Sequence, residues 1–314
     1  MIGASVSGPV EPADCRCENE HLAAVEAREG RRTSVGGLDV ARVLPTKGRR
    51  TVGAWCFVDL MGPVDAEEPD PMEVGPHPHI GLSTVTWLLE GEALHNDSLG
   101  TEQVIRPGQL NWMSAGHGIA HAELAARPPF RGAQMWVAQP EATRHGASAF
   151  VHHADLPEVE LDGASGTLFA GELDGVSSPA RADTAIVGVD LAVRRGTTVV
   201  PTTATFEHAV VPLDGRVRVG REVVEEGWLA LVPSGIDELP IGAETDGARL
   251  LVLGGVPLGE RIEMWWNFVA RDKEEITAAW RDWRDRTDRF GAVDSPLPRS
   301  DAPRPPWVAA TEQS

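Results

Sequence analysis

The stretch HPHIGLSTVTWLLEG, residues 77–91, decides the fold. Within it residues 84–89 are rich in strand formers, and Val85, Trp87 and Leu89 recur on one face. Glu90-Gly91-Glu92 reads as a turn, and His95 and Asp97 follow on a short strand or at its end. The same rhythm extends outward in both directions. Residues 52–60 form an apolar run ended by Gly62-Pro63. Pro107-Gly108 marks another turn, residues 110–113 another strand, and residues 134–137 a strand closed by Pro140. Short strands at about 8- to 12-residue spacing predict an all-β barrel or sandwich.

A weaker copy follows at 167–173, 185–193, 205–211, 216–219, 228–232 and 249–253, with Asp214-Gly215 as a hairpin turn. These segments predict a second β domain of similar size, with the linker between 157 and 166. Near the end, Asp272 and Glu275 read as a capping box. Ile276, Ala279, Trp280 and Trp283 then recur at helical spacing, a stripe read as core packing. The tail carries Pro296, Pro298, Pro303, Pro305 and Pro306 and is expected to be extended and poorly ordered. The polar N-terminal residues read as an arm, with a short helical segment at 21–28. Residues 65–70 read as an acidic surface loop.

A chain of 314 residues suggests two domains, each able to bury a core without staples. The 28 basic and 47 acidic residues leave a net charge of −19. That balance argues against direct binding to nucleic acid or anionic membranes. The two basic groups, Arg28 with Arg31 and Arg32, and Lys47 with Arg49 and Arg50, read as solvated loops. No apolar run approaches the roughly 18 residues of a membrane span. Three cysteines make no disulfide framework. With no basic-then-apolar leader, the expected location is the cytoplasm.

The chemistry lies in two motifs, GPHPHIG at 75–81 and GHGIAHAE at 116–123. On a strand, residues i and i+2 share a face, so His77 and His79 present two imidazoles together. His121 and Glu123 present an imidazole and a carboxylate in the same way. If the segments meet, three nitrogens and one oxygen converge, a donor set that suits iron(II), nickel, manganese or zinc. Four such ligands leave open positions on an octahedral metal, as a reactive site requires. Structural zinc sites, by contrast, are closed and usually hold cysteine. Either motif alone also fits core histidines satisfying hydrogen bonds. His95 and Asp97 are expected to pair and to support the ligands from behind. His117 either lines the pocket mouth or is a plain surface residue. His145, His152 and His153 are expected near solvent. His208 stands alone, so the second domain is expected to hold no metal. Neither Ser83 nor Ser114 sits in a nucleophile elbow. Gly116-His117-Gly118 lacks the lysine of a phosphate loop.

Taken in order, HPHIGLSTVTWLLEG (77–91), HNDSLG (95–100) and RPGQLNWMSAGHGIAHAE (106–123) resemble the pirin family, a bicupin family of the cupin superfamily. The segment GGVPLGERIEMWWNFV (254–269) resembles the end of that family's C-terminal barrel. Glu274, Glu275 and Ile276 match the entry to its final helix. The resemblance spans roughly 35–290. It implies two cupin-type β-barrel domains with a C-terminal helix. The divisions are an N-terminal arm (1–34), an N-terminal metal-binding cupin (35–157), a C-terminal cupin without metal (166–290) and a proline-rich tail (291–314).

The resemblance also implies His77, His79, His121 and Glu123 as metal ligands, with iron the usual metal. Some members resemble quercetin 2,3-dioxygenases and show that activity, and others are described as protein-interacting regulators. The expected function is therefore a metal-dependent dioxygenase on a flavonol-like small aromatic substrate, with Glu123 as ligand or proton acceptor. The alternatives are an iron-dependent regulator that binds a protein partner without turnover, and an isomerase or hydrolase using the metal as a Lewis acid. Gln134 and Trp136 match a strand that lines the family pocket. Phe57 and Met113 are candidate apolar walls, with core packing the competing reading. Many pirins carry glutamate where this chain has Ser83 and arginine where it has His117. The first change should alter the pocket without emptying the site, and the second removes a fixed positive charge.

Overall fold

Val85, Trp87 and Leu89, on the strand Leu82–Glu90, turn into one core shared by both halves of the chain. The structure is a computed structural model describing residues 22–64, 72–125, 129–245 and 247–309. The acidic loop expected at 65–70 lies outside these residues, as do Cys15 and Cys17.

In the first half a seven-stranded antiparallel sheet runs in the order Ala149–His153, Leu110–Ser114, Leu82–Glu90, Phe130–Ala138, Trp55–Val64, Leu38–Leu44, Arg31–Val35. A four-stranded sheet covers one face, in the order Glu73–His79, Ile119–Ala125, Ala93–Asp97, Glu102–Ile105. The second half repeats the plan. Its eight-stranded sheet follows the order Glu26–Glu29, Trp228–Val232, Glu207–Asp214, Ala248–Gly255, Ile186–Val193, Ala164–Leu173, Glu158–Leu161, with the short strand Val176–Ser177 beside Ala164–Leu173. Its four-stranded sheet follows Gly196–Pro201, Glu238–Ala243, Arg216–Val219, Glu222–Glu225.

The expectation of two β-barrel domains is overturned: among the described residues the fold is all-β with a helix near the C-terminus, and no sheet closes on itself. Closure requires continuous pairing around the ring. Here the edge strands Arg31–Val35 and Glu73–His79 pair with their inner neighbours but not with each other. One backbone bond, from Glu73 N–H to the Gly36 carbonyl at 3.1 Å, ties them at one end. The remaining gap is the mouth of a cavity, with Thr33, Ser34 and Val35 on one side and Val74 and His77 on the other.

The two large sheets pack back to back around Trp55, Trp87, Phe169 and Leu251. Buried indole N–H groups need acceptors, and both find them in the opposite half. Trp55 Nε1 donates to the carbonyls of Val187 and Gly254 at 3.2 and 3.1 Å. Trp87 Nε1 donates to Asp190 Oδ2 at 2.7 Å, and Arg249 pairs with the same carboxylate.

Of the helical segment expected at 21–28, residue 21 lies outside the described residues, Leu22 and Ala23 are helical, and the rest is not. Glu26–Glu29 is a strand, because tertiary pairing with Trp228–Val232 outweighs a weak local preference. The chain then crosses at Gly30 into the other large sheet, its N–H bonded to the Gly227 carbonyl at 2.8 Å. The segment expected as linker is strand over Glu158–Leu161.

The helix Lys273–Arg284 has Asp272 at its N-cap, accepting from Glu275 N–H at 2.9 Å. Ile276, Ala279, Trp280 and Trp283 are its buried stripe. The described part of the tail is packed where disorder was expected. The indoles of Trp280 and Trp283 donate to the carbonyls of Ala302 and Ser300 at 3.3 and 2.9 Å. Val308 is buried against the same cluster. Among the described residues, no helix is long and apolar enough to cross a membrane.

Candidate metal centre

The strand Ile119–Ala125 lies between Glu73–His79 and Ala93–Asp97. Its register sets His121 opposite His77 on one side and opposite Asp97 on the other, and Glu123 opposite His95. Directly paired residues project to the same face, as do positions i and i+2. His77, His79, His95, Asp97, His121 and Glu123 therefore share the inner face of the four-stranded sheet. A bulge between His121 and Glu123 shifts the pairing with Glu73–His79.

The ring centroids of His77, His79 and His121 are 4.3 to 5.0 Å apart. His79 Nε2 and His121 Nε2 are separated by 3.0 Å. The outer nitrogens have separate partners. His77 Nδ1 lies 2.9 Å from the Gly75 carbonyl and His79 Nδ1 lies 3.0 Å from the Asn267 carbonyl. His121 Nδ1 lies 3.3 Å from His95 Nδ1, and His95 Nε2 lies 3.2 Å from Asp97 Oδ2. A carbonyl only accepts, so His77 and His79 carry their protons on Nδ1. His95 donates through Nε2 to the carboxylate, which leaves its Nδ1 to accept from His121. All three rings then direct an Nε2 lone pair inward. Two lone pairs 3.0 Å apart repel unless a cation or proton lies between them. The donor set thus fits a metal ion.

Burial sets the electrostatics. It depresses the imidazole of His77 to about 4 and holds those of His79 and His121 well below the usual histidine range. The rings are neutral and ready to ligate. Burial also raises the Glu123 carboxyl, against weaker opposing effects of His95 and Thr86. The Thr86 hydroxyl lies 3.3 Å from Glu123 Oε1 and 3.0 Å from Gln134 Oε1, donating to one at a time. Burial would raise the Asp97 carboxyl too, but the bonds from His95 and Thr101 overcome it and leave it below its ordinary value.

The cluster opens into a cavity of about 390 Å³ between the two sheets. Phe57 and Trp136 stack at 4.0 Å on one wall, and Trp136 meets His79 edge-on at 5.3 Å. Arg42 lies over the Phe57 ring at 4.4 Å and grips Asp59 with two bonds of 2.7 and 2.6 Å. The C-terminal half contributes Trp266, Asn267, Ser300 and Asp301 to the lining. Ser300 N–H donates to the Pro76 carbonyl at 2.9 Å, so the tail is fastened to the segment that carries His77. Gly75 makes this possible, since a Cβ there would run into the Pro298 carbonyl.

Of the residues singled out in the sequence, Phe57, Gln134 and Trp136 line this cavity with the three histidines and Glu123. Met113 does not: it is buried with Ala115, Ile119 and Phe150. His117 is exposed and held through its backbone: its N–H donates to the Gly146 carbonyl at 2.9 Å, and its carbonyl accepts from Arg289 Nε at 2.9 Å. Ser83 bonds to Ser114 at 3.0 Å, away from the cavity lining. Among the described residues, the groups of three potential ligand residues are His77 with His79 and His121, and His95 with His121 and Glu123. His95 was legible as the partner of Asp97 and as support behind the ligands, but that it meets His121 was not. That contact depends on the pairing of His95 with Glu123. Asn267, Ser300 and Asp301 carry no local signal, because they arrive from far along the chain, Asn267 being 188 residues from His79 and Ser300 being 225 from Gly75.

The chain is similar to known proteins along most of its length. Models of two families match, pirin over residues 37–137 and the pirin C-terminal cupin domain over residues 188–291. A Pseudomonas aeruginosa protein named "Putative quercetin 2,3-dioxygenase" is 45% identical over 304 residues, covering 95% of this chain and 96% of that protein. A pirin-like protein of Caulobacter vibrioides is 37% identical, covering 82% and 91%. The crystal structure of a quercetin 2,3-dioxygenase from Acinetobacter baumannii superposes with a TM-score of 0.85 at 38% identity, covering 91% of this chain and 97% of that one. With matched segments in both halves and relatives this similar along nearly their whole lengths, the chain belongs to the pirin family.

Proposed function

We propose that this protein is a metal-dependent dioxygenase that opens a flavonol-like ring, with His77, His79, His121 and Glu123 holding iron(II). The observation that carries the reading is the set of three inward Nε2 lone pairs beside a buried carboxylate, at the end of an aromatic-walled cavity. The names of the Pseudomonas and Acinetobacter relatives supply the reaction class. His95 is assigned to orientation, because both of its nitrogens are engaged. When bound, the metal supplies a Lewis-acidic centre that orients an enediol-like substrate and couples it electronically to dioxygen.

The chain's own residues do the rest. The Phe57–Trp136 stack offers a flat apolar wall to a planar ring. The Glu123 carboxylate, whose hold on a proton burial strengthens, takes the proton of the substrate hydroxyl. Thr86 steadies either that carboxylate or Gln134. Arg42 is already neutralised by Asp59, so the wall carries little net charge and suits a neutral substrate. The tail and the Trp266–Asn267 segment narrow the mouth against bulk water.

We propose the same functional division as the sequence reading: a metal-binding unit at 35–157, a second unit without metal at 166–290, an arm before and a tail after. The segments matched by the two family models support it.

The test is oxygen uptake by anaerobically iron(II)-loaded protein given quercetin, with His121→Ala as control. Uptake in the parent and none in the variant is the expected result. No uptake with iron occupancy confirmed by elemental analysis overturns the assignment to quercetin.

A further inference from the structure

The second half contains its own cavity, of about 580 Å³, which shares no lining residue with the metal pocket. Its position follows from the repeated topology. Gly196–Pro201 is the edge strand of its four-stranded sheet, as Glu73–His79 is in the first half. Where the first half carries His77 and His79, the second contributes Val200 and Pro201 to the lining. Glu207–Asp214 likewise holds the sheet position of Leu82–Glu90, and brings His208 into the lining. The ligand cluster has no counterpart among the described residues, but the cavity does.

Two polar atoms in this lining have no partner. His208 is 1% exposed, and its Nδ1 makes no hydrogen bond in the structure. Thr184 Oγ1 is buried and likewise without a partner. Leaving a buried polar atom unsatisfied is costly, so two in one cavity call for an occupant. The imidazole lies close against Gly254, where a Cβ would run into it. Burial depresses it to about 4, so it is a neutral ring with one donor and one acceptor.

We propose that this cavity is a binding site for an uncharged hydroxylated aromatic molecule, anchored by His208 Nδ1 and Thr184 Oγ1. A hydroxyl can donate or accept, so it satisfies either tautomer of the imidazole and the threonine hydroxyl as well. Ile186, Val200, Phe206 and Val252 supply apolar walls, and the Phe206 ring stands 6.1 Å from that of His208. The volume lies in the usual range for small-molecule sites. Among the described residues no lysine or arginine lines the cavity, whereas Glu172 and Asp174 do. An anion therefore meets repulsion without compensation. The site stands on its own geometry and does not depend on the metal or its reaction.

The test uses 1-naphthol as probe, titrated into the full-length protein with 15N-labelled histidine. The His208 imidazole resonances shift saturably, whether or not those of His77 respond to binding in the other cavity. His208→Phe weakens that binding at least tenfold, read by calorimetry. Val252→Phe fills the cavity and abolishes it. Ala182→Trp, at the exposed rim, does the same should the core variant fail to fold. The anion 1-naphthoate binds at least tenfold more weakly than 1-naphthol. Absence of any shift at His208, or titration unaltered in the filling variants, overturns the site. Equal affinity for the anion overturns its assigned chemistry.

Discussion

The Nδ1 atoms of His95 and His121 lie 3.3 Å apart on the inner face of the four-stranded sheet. Asp97 holds the far side of the His95 ring, so a carboxylate, an imidazole and a metal-directed imidazole form one chain. Partners behind metal ligands typically contribute about 10- to 100-fold to affinity. His95→Ala is expected to weaken iron(II) binding by about that factor, measured by competition with a chromophoric chelator. Asp97→Asn, which leaves His95 in place, is expected to cost less. Equal affinity in His95→Ala and the parent would show that His121 needs no orientation.

The Phe57–Trp136 stack separates substrate binding from metal binding. Phe57→Leu keeps an apolar wall but removes the stacked ring. Aromatic pairs contribute about 0.5–1.5 kcal/mol beyond burial, or roughly two- to tenfold. The expected result is a KM for quercetin raised by about that factor, with iron content unchanged. A lost metal would place Phe57 in the support of the centre instead.

Stability of the metal-free protein should fall as pH drops from about 6.5 to about 4. His77 and His208 are each depressed to about 4 in the folded chain, against an ordinary value of 6.5. Across that window the unfolded chain takes up protons that the folded chain refuses. Stability therefore falls toward acid, by up to about 1.4 kcal/mol per pH unit for each ring. Above about 6.5 both states are neutral at these groups, and the contribution is flat. His208→Asn should remove one ring's share of the slope, read by urea unfolding at a series of pH values. An unchanged slope would mean that His208 protonates in the folded state.

The tail closes the metal pocket through hydrogen bonds that a truncation removes. Ending the chain after Ser295 deprives Trp280, Trp283 and Pro76 of their partners Ala302, Ser300 and Ser300 N–H. At about 1 kcal/mol each, the loss is about 3 kcal/mol. A red shift of indole emission and faster extraction of metal by a chelator are the expected signs. Extraction at the parent rate would assign the tail to stability alone.

The clustering of these side chains was readable because strand geometry makes it local. His77 with His79, and His121 with Glu123, need only the two-residue period, and the register supplies the meeting. The helix was readable for the same reason, since Asp272 and Glu275 act on the same turn. What escaped was set by distant pairing. Whether Arg31–Val35 and Glu73–His79 join decides between a closed barrel and an open pair of sheets, and neither strand encodes the other's position. The tail was misread because proline was weighed without its acceptors. Two tryptophans on one stripe of a single helix present indole donors, and extended proline-rich chain offers unpaired carbonyls to meet them. The likeness to pirins located the site but predicted Met113 and His117 no better than their surroundings did.

The crossing at Gly30 ties the two halves in a way that a linker does not. The strand before it belongs to the second half's large sheet and the strand after it to the first, and no side chain fits at the crossing point. A protease that nicks the chain between the halves would therefore release neither. The fragments would stay laced together, and either half produced alone would lack a strand or expose one.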